Sequence, residues 1–216
     1  MKKKNRKLIK YLGIIAILIV VLIAAFLIFN SRKNKTSTYT YLGVNGENYS
    51  FVKLKEGNVD IHQLTFYGIL KGEEKQYTIR LRYGPNELQD ISGEDVRDLI
   101  LNKRLVYITQ DLNLPELTNQ ASVLAIFEIN SVLGTEDYNV FQIPRESTIT
   151  NTNSNNTKLQ VKDCKDITKF IGVIKLQLGN TNRIYNNNGC VVLEAKSKED
   201  IIRVTDKLIL HLLELF

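Results

Sequence analysis

The sequence of 216 residues contains no Trp, three Pro, two Cys and two His. So little Pro, together with 44% hydrophobic residues, excludes a collagen-like or disordered chain. Two Cys are too few for a disulfide-dense scaffold, and with no His nearby they fall short of the four ligands of a zinc site. Gly-rich phosphate loops and the H-E-x-x-H and G-x-S-x-G motifs are absent. We therefore assign no catalytic, cofactor-binding or metal-ligating residue.

Acidic residues are missing from one part of the chain. The first 35 residues contain nine Lys or Arg and no Asp or Glu, whereas the other 181 contain 20 basic and 23 acidic residues. The net charge of +6 thus arises at the N-terminus, and the remainder carries −3. Nucleic-acid binding needs a basic patch on the folded surface, so we expect no nucleic-acid partner.

One long apolar run stands near the N-terminus. Residues 12–29 are 18 consecutive apolar or Gly residues, which as a helix span roughly 27 Å. A core helix of this length would show a polar edge, and a cleaved signal peptide would have a shorter run that ends in small residues. We therefore predict an uncleaved transmembrane anchor that contacts the lipid bilayer through residues 8–29.

The charges beside this run predict its direction. Six Lys or Arg precede it and three follow it, so the N-terminus is expected in the cytoplasm and the C-terminal domain outside the cell membrane. The predicted organisation is a basic tail and anchor over residues 1–35, a tether over 36–48, and an extracytoplasmic domain over 49–216. A polar loop over 146–158, rich in Asn and Thr, interrupts this domain.

The sequence pattern over residues 49–216 predicts an α/β domain. Residues 62–70 and 76–83 form a hairpin, Ser92 caps a helix, and residues 105–109 form a buried strand. Thr118 begins a second helix that Gly134 ends, and residues 138–143 form the next strand, so the crossover predicts parallel pairing. The fold class is a mixed sheet with two to three packed helices, preceded by one N-terminal transmembrane helix.

The last sixty residues show the clearest pattern. Strands are predicted over residues 171–178, 183–185 and 190–195, with Asn-rich turns between them. Ser197 caps a helix, with Asp200 at its third position, that continues to the C-terminus with a broad apolar face.

The two Cys and the glycosylation sequons fall outside the predicted cytoplasmic tail. An even number of Cys in an oxidising compartment predicts a disulfide between Cys164 and Cys190. Two unrelated buried thiols are the alternative. Asn34, Asn48 and Asn155 stand in N-x-S/T sequons and are possible glycosylation sites, although chance alone gives about this number in so Asn-rich a chain.

The C-terminal segment resembles a pattern in uncharacterised, single-pass membrane proteins of archaea with an external α/β domain. It is also similar to the closing segment of some archaeal S-layer proteins. About 55 of the 216 residues carry the resemblance, which implies a cell-surface location and transfers no catalytic residue. The residues that carry it are Asp163, Cys164, Leu178, Gly179, Asn180, Arg183, Ile184, Gly189, Cys190, Val191, Val192, Leu193, Glu194, Glu199, Asp200, Ile201, Ile202, Arg203, Asp206, Lys207 and Leu208.

These observations favour a non-enzymatic, membrane-anchored binding or assembly module with a protein partner at the cell surface. The alternative is an extracytoplasmic enzyme near Asp111, because sites in α/β folds lie at the C-terminal ends of parallel strands. A pilin-like subunit fits less well, since no processing Gly precedes the apolar run. His62 and His211 accompany no nucleophile or ligand motif, and we expect structural roles for both.

Overall fold

A computed structural model describes residues 19–24, 36–111, 116–150 and 159–216. Most of the predicted anchor at residues 12–29 lies outside these ranges, and the described part, residues 19–24, is helical with exposed side chains. Within the described ranges, no helix has the length and apolar character needed to cross a membrane. Asn34 and Asn155 also lie outside the described residues, whereas Asn48 is exposed at the start of a strand.

The N-terminal half forms an antiparallel meander, here called the meander sheet. Its strands are β1 Ser37–Leu42, β2 Asn48–Glu56, β3 Val59–Leu70 and β4 Glu73–Leu81, paired in chain order. Lys71 and Gly72 connect β3 to β4 with φ of 55° and 87°, the left-handed values of a type I′ turn. The predicted hairpin is confirmed, with a shorter turn than expected.

The segment predicted as a tether is largely β1. The tether is predicted over residues 36–48 because the stretch that follows the apolar run is short, polar and basic, yet Ser37–Leu42 pairs along β2 in full register. The Ser and Thr side chains alternate with Tyr39 and Tyr41, and only the Tyr side is partly buried. Tyr39 stacks on Phe51 with ring centroids 5.3 Å apart, which attaches the strand to the sheet.

A second, six-stranded mixed sheet begins beyond a 3-10 helix at Pro85–Leu88. Ser92 was expected to cap a helix, but Ser92–Gly93 is the short strand β5, which pairs with Arg183 and Ile184 of a later strand. The helix α1 is Arg97–Leu101, and the residue before it, Val96, makes no side-chain cap. The helix cap was wrongly predicted at Ser92 because Ser is also compatible with an exposed position at the edge of a sheet.

The predicted crossover is present, with a different second strand. Strand β6 Leu105–Gln110 and strand β7 Arg145–Ile149 pair in parallel, with helix α2 Glu116–Val132 between them. Residues 138–143 are not a strand: the N–H groups of Val140 and Phe141 donate to the carbonyl of Val132, the last residue of α2, and so cap the end of that helix. The predicted loop 146–158 therefore begins with strand β7, and residues 151–158 lie outside the described part.

The C-terminal strands and helix match the expectation in position. They are β8 Ile171–Leu178, β9 Arg183–Asn187, β10 Cys190–Ala195 and helix α3 Lys198–Leu212. Strand β10 lies between β9 and β8, antiparallel to the first and parallel to the second. The order of the mixed sheet is therefore β5-β9-β10-β8-β6-β7. Ser197 accepts a hydrogen bond from the Asp200 N–H at 3.2 Å, which confirms the predicted helix cap.

Helices α2 and α3 lie between the two sheets. The consecutive residues 204–210 of α3 are all buried, as in a helix with neighbours on both sides. One hydrophobic core joins the three layers and includes Phe51, Leu64, Ile79 and Leu81 from the meander sheet, Ile129 and Leu208 from the helices, and Ile108, Ile174 and Val191 from the mixed sheet. The chain is thus mixed α/β.

A smaller core lies on the opposite face of the mixed sheet. Tyr107, Val173 and Val192 are buried there beside a disulfide between Cys164 and Cys190, whose Cα atoms are 5.3 Å apart. The predicted disulfide is confirmed. It connects the 3-10 helix Cys164–Asp166 to β10 and so holds an otherwise polar segment against the sheet.

We predict that replacing both Cys by Ala lowers the free energy of unfolding by about 3 kcal/mol, because the bond closes a loop with a sequence separation of 26. Urea unfolding of the full chain measures this loss. Reduced wild-type protein should show a similar loss. Because reduction keeps both Cys side chains, this comparison distinguishes the contribution of the disulfide from that of side-chain packing. Equal unfolding midpoints for oxidised and reduced protein would contradict the prediction.

Candidate functional site

A cleft of about 370 Å³ opens between the meander sheet and α2, and we call it the α2 cleft. Its size suits one side chain or a small ligand. Apolar groups form most of its walls, and charged and hydroxyl groups form the rest of the lining. The lining residues are Glu56, Ile61, Thr78, Ile79, Arg80, Arg82, Leu124, Phe127, Glu128, Ser131, Tyr138 and Val140.

Two aromatic rings stand beside the α2 cleft and are open to solvent. Phe127 is 69% exposed and Tyr138 is 68% exposed. Phe127 points outward because the buried stripe of α2 runs through Ala125, Ile129 and Val132. Tyr138 belongs to the segment that caps the end of α2, and hydrogen bonds of the neighbouring Asn139 and Val140 hold that segment in place. Exposed aromatic side chains beside a recess are typical of binding surfaces.

The floor of the α2 cleft contains a buried charged group. Glu128 of α2 is 8% exposed, and its Oε1 lies 3.8 Å from Nη1 of Arg82, which directly follows β4. Asp206 of α3 is completely buried, and its Oδ2 accepts hydrogen bonds from the N–H groups of Arg82 and Tyr83 at 3.0 and 2.8 Å. Asp206 therefore binds the backbone of Arg82, whereas Glu128 lies beside the Arg82 guanidinium.

Burial is the largest influence on the pKa values of Glu128 and Asp206. It raises the pKa of Glu128 to about 7, a shift that the nearby Arg82 charge only partly opposes. Burial, and then the Glu128 charge, raise the pKa of Asp206 well above its ordinary value. Oε2 of Glu128 and Oδ1 of Asp206 have no hydrogen-bond partner among the described residues. The floor can therefore hold a proton, or accept a hydrogen bond from a cationic group that replaces it.

His62 belongs to a second, smaller cluster. Its Nδ1 lies 2.6 Å from the Tyr39 hydroxyl, and its Nε2 lies 3.0 Å from Glu87 Oε2. Burial lowers the pKa of His62 and raises the pKa of Tyr39, so both side chains are neutral near pH 7. The cluster connects β1, β3 and the 3-10 helix at Pro85–Leu88, so His62 has the structural role that the sequence predicts.

The other residues considered from the sequence lie apart from the α2 cleft. His211 of α3 contacts the Phe216 carbonyl and the Val96 N–H. Asp111 follows β6, and the α2 cleft includes no residue from the C-terminal ends of the parallel strands. Asp163 accepts hydrogen bonds from Cys164 N–H and Lys175. Across the described ranges, no three His, Cys, Asp or Glu side chains are placed to hold a metal ion.

Sequence reasoning missed the residues of the cleft floor. A signal was present, because Glu128 stands on the apolar stripe of α2 between Ala125 and Val132, where a charged side chain is unusual. Comparison with protein-family models, curated proteins and solved structures finds no match. The functional argument therefore depends on the geometry of this chain.

Glu128 is expected to make the folded protein less stable as the pH rises. Its pKa is about 7 in the folded state and near the ordinary 4.5 in the unfolded chain, so stability falls from about pH 4.5 to 7. Glu128→Gln stays neutral and should remove this fall, with a gain of up to about 3 kcal/mol at pH 8. Urea unfolding at pH 5 and pH 8 measures the difference.

Glu136→Gln provides the control. Hydrogen bonding to its own backbone N–H, followed by the Arg145 charge, lowers the pKa of Glu136, so this group titrates below the same pH window. The fall in stability between pH 5 and pH 8 should therefore persist in Glu136→Gln. An equal fall in Glu128→Gln would show that Glu128 is ionised like an exposed carboxyl.

Proposed function

We propose that the chain is a membrane-anchored, extracytoplasmic binding or assembly module that contacts a protein partner through the α2 cleft. One observation carries the proposal: exposed Phe127 and Tyr138 stand beside a recess whose floor contains Glu128. Aromatic side chains contribute most of the binding energy at many protein interfaces, and a recessed polar group adds specificity.

The location is supported by the sequence and by the disulfide. Residues 12–29 are long enough to cross a bilayer, and six basic residues before them against three after favour an external C-terminal domain. The bond between Cys164 and Cys190 fits an oxidising compartment. The C-terminal resemblance to archaeal cell-surface proteins agrees with this location.

The alternative is an extracytoplasmic enzyme with a site near Asp111. Its support remains the position of Asp111 after a parallel strand. The α2 cleft lies between the meander sheet and α2, away from these strand ends, and its aromatic rim favours binding over this reaction site.

Topology can be tested by labelling one residue on each side of the predicted anchor. Ile69, at the end of β3, is 80% exposed, so Ile69→Cys should react with a membrane-impermeant maleimide on intact cells. Lys4→Cys, in the basic tail, should react only after lysis. The reverse labelling pattern would place the domain in the cytoplasm.

The partner contact can be tested by photo-crosslinking in living cells that make the chain natively. A benzophenone amino acid at Phe127 or Tyr138 should give discrete adducts of higher mass. The same group at Tyr67 is the matched control, because Tyr67 is 66% exposed on β3 and lies outside the α2 cleft. An identical adduct pattern at all three positions, or none at Phe127 and Tyr138, would contradict the proposed contact.

A further inference from the structure

We infer that the α2 cleft recognises a cationic group on an apolar stem, such as the Lys side chain of a protein partner. This inference rests on the proposed function and specifies the chemistry of the partner. The unpartnered oxygen atom of Glu128 and the apolar walls of the cleft support it.

The charged side chains that line the cleft form two pairs. Glu128 lies 3.8 Å from Arg82, and Arg80 forms an ion pair with Glu56. Asp206 is completely buried, accepts hydrogen bonds from the N–H groups of Arg82 and Tyr83, and is not among the residues that line the cleft. The two pairs leave no excess charge, so recognition of a cation depends on the acceptor that Glu128 presents.

The hydrogen bonding of Glu128 also favours a donor. Glu128 lines the cleft, is 8% exposed, and has an Oε2 without a hydrogen-bond partner among the described residues. An ammonium group has three N–H donors and accepts no hydrogen bond. A ligand ammonium could therefore satisfy this oxygen, which a buried carboxylate needs in order to remain charged.

The walls suit the stem of a Lys side chain. Ile61, Ile79, Leu124 and Val140 present apolar surface, and the methylene groups of Lys gain free energy when they cover such surface. The rings of Phe127 and Tyr138 stand where an entering cation passes, and aromatic faces attract cations. The same cleft therefore accommodates both parts of the ligand.

Cation binding should be coupled to proton release. The pKa of Glu128 is about 7, so its carboxyl is largely protonated at pH 6 and largely ionised at pH 8. A cation binds the ionised form. Arg82, Arg80 and Glu56 are the other charged groups that line the cleft, and the buried Asp206 is near enough to Glu128 for their charges to interact. The affinity for a cation should accordingly rise by about tenfold from pH 6 to pH 8.

The test uses the full chain in phosphatidylcholine nanodiscs, with ¹³C-labelled Ile δ1 methyl groups. The probes are butylammonium, butanol and butanoate, which share an apolar stem and differ in charge. At pH 8 butylammonium should shift the methyl signals of Ile61 and Ile79 but not that of Ile174 in the mixed sheet. Its affinity should exceed that of butanol by at least about tenfold, the range of a charged hydrogen bond, and butanoate should bind weakest.

Glu128→Gln should remove the preference for butylammonium and retain the weak shifts caused by butanol, which verify that the cleft is folded. Glu74→Gln removes the same charge from an exposed position on β4 and should retain the preference. Equal affinity for butylammonium and butanol, or an unchanged preference in Glu128→Gln, would overturn the inference.

The two proposals fail separately. Crosslinks at Phe127 without any preference for butylammonium would uphold the binding module and reject its cationic ligand. A preference for butylammonium without crosslinks would uphold the ligand chemistry and reject the protein partner.

Discussion

The buried carboxylate of Asp206 holds the two halves of this protein together. It lies on α3, the helix against which both sheets pack, and it accepts hydrogen bonds from the N–H groups of Arg82 and Tyr83. These two residues lie where the chain leaves the meander sheet. Leaving buried N–H groups without acceptors would cost about 1–3 kcal/mol each, so the position of the sheet relative to α3 depends on this contact.

The chemistry of the α2 cleft follows from the same contact. The backbone of Arg82 is fixed by Asp206, and its side chain reaches toward Glu128 on the neighbouring helix. The packing of two sheets and two helices thus leaves the Glu128 carboxyl beside the Arg82 guanidinium at the edge of the core. Burial keeps Glu128 close to its midpoint of ionisation near pH 7, so a ligand can change its charge at little cost.

The C-terminal half was predictable from local patterns, and the N-terminal half was less so. Strand β10, with every residue buried, and α3, with a Ser cap and a broad apolar face, carry strong signals. Strand β1 was missed because its stabilising contact, Tyr39 on Phe51, is between strands. The second strand of the crossover was predicted too early because residues 138–143 cap the end of α2 instead of joining the sheet.

The candidate site was harder to predict because its residues are distant in the sequence. Arg82, Glu128 and Asp206 come from the end of a strand and from two helices, and no local pattern predicts that they lie together. The most direct test is a ¹³C NMR titration of the Glu128 carboxyl in the full chain, with and without butylammonium. The account predicts a pKa of about 7 for the free protein and a clear fall when the amine binds. A pKa near the ordinary 4.5 that does not respond to the amine would contradict it.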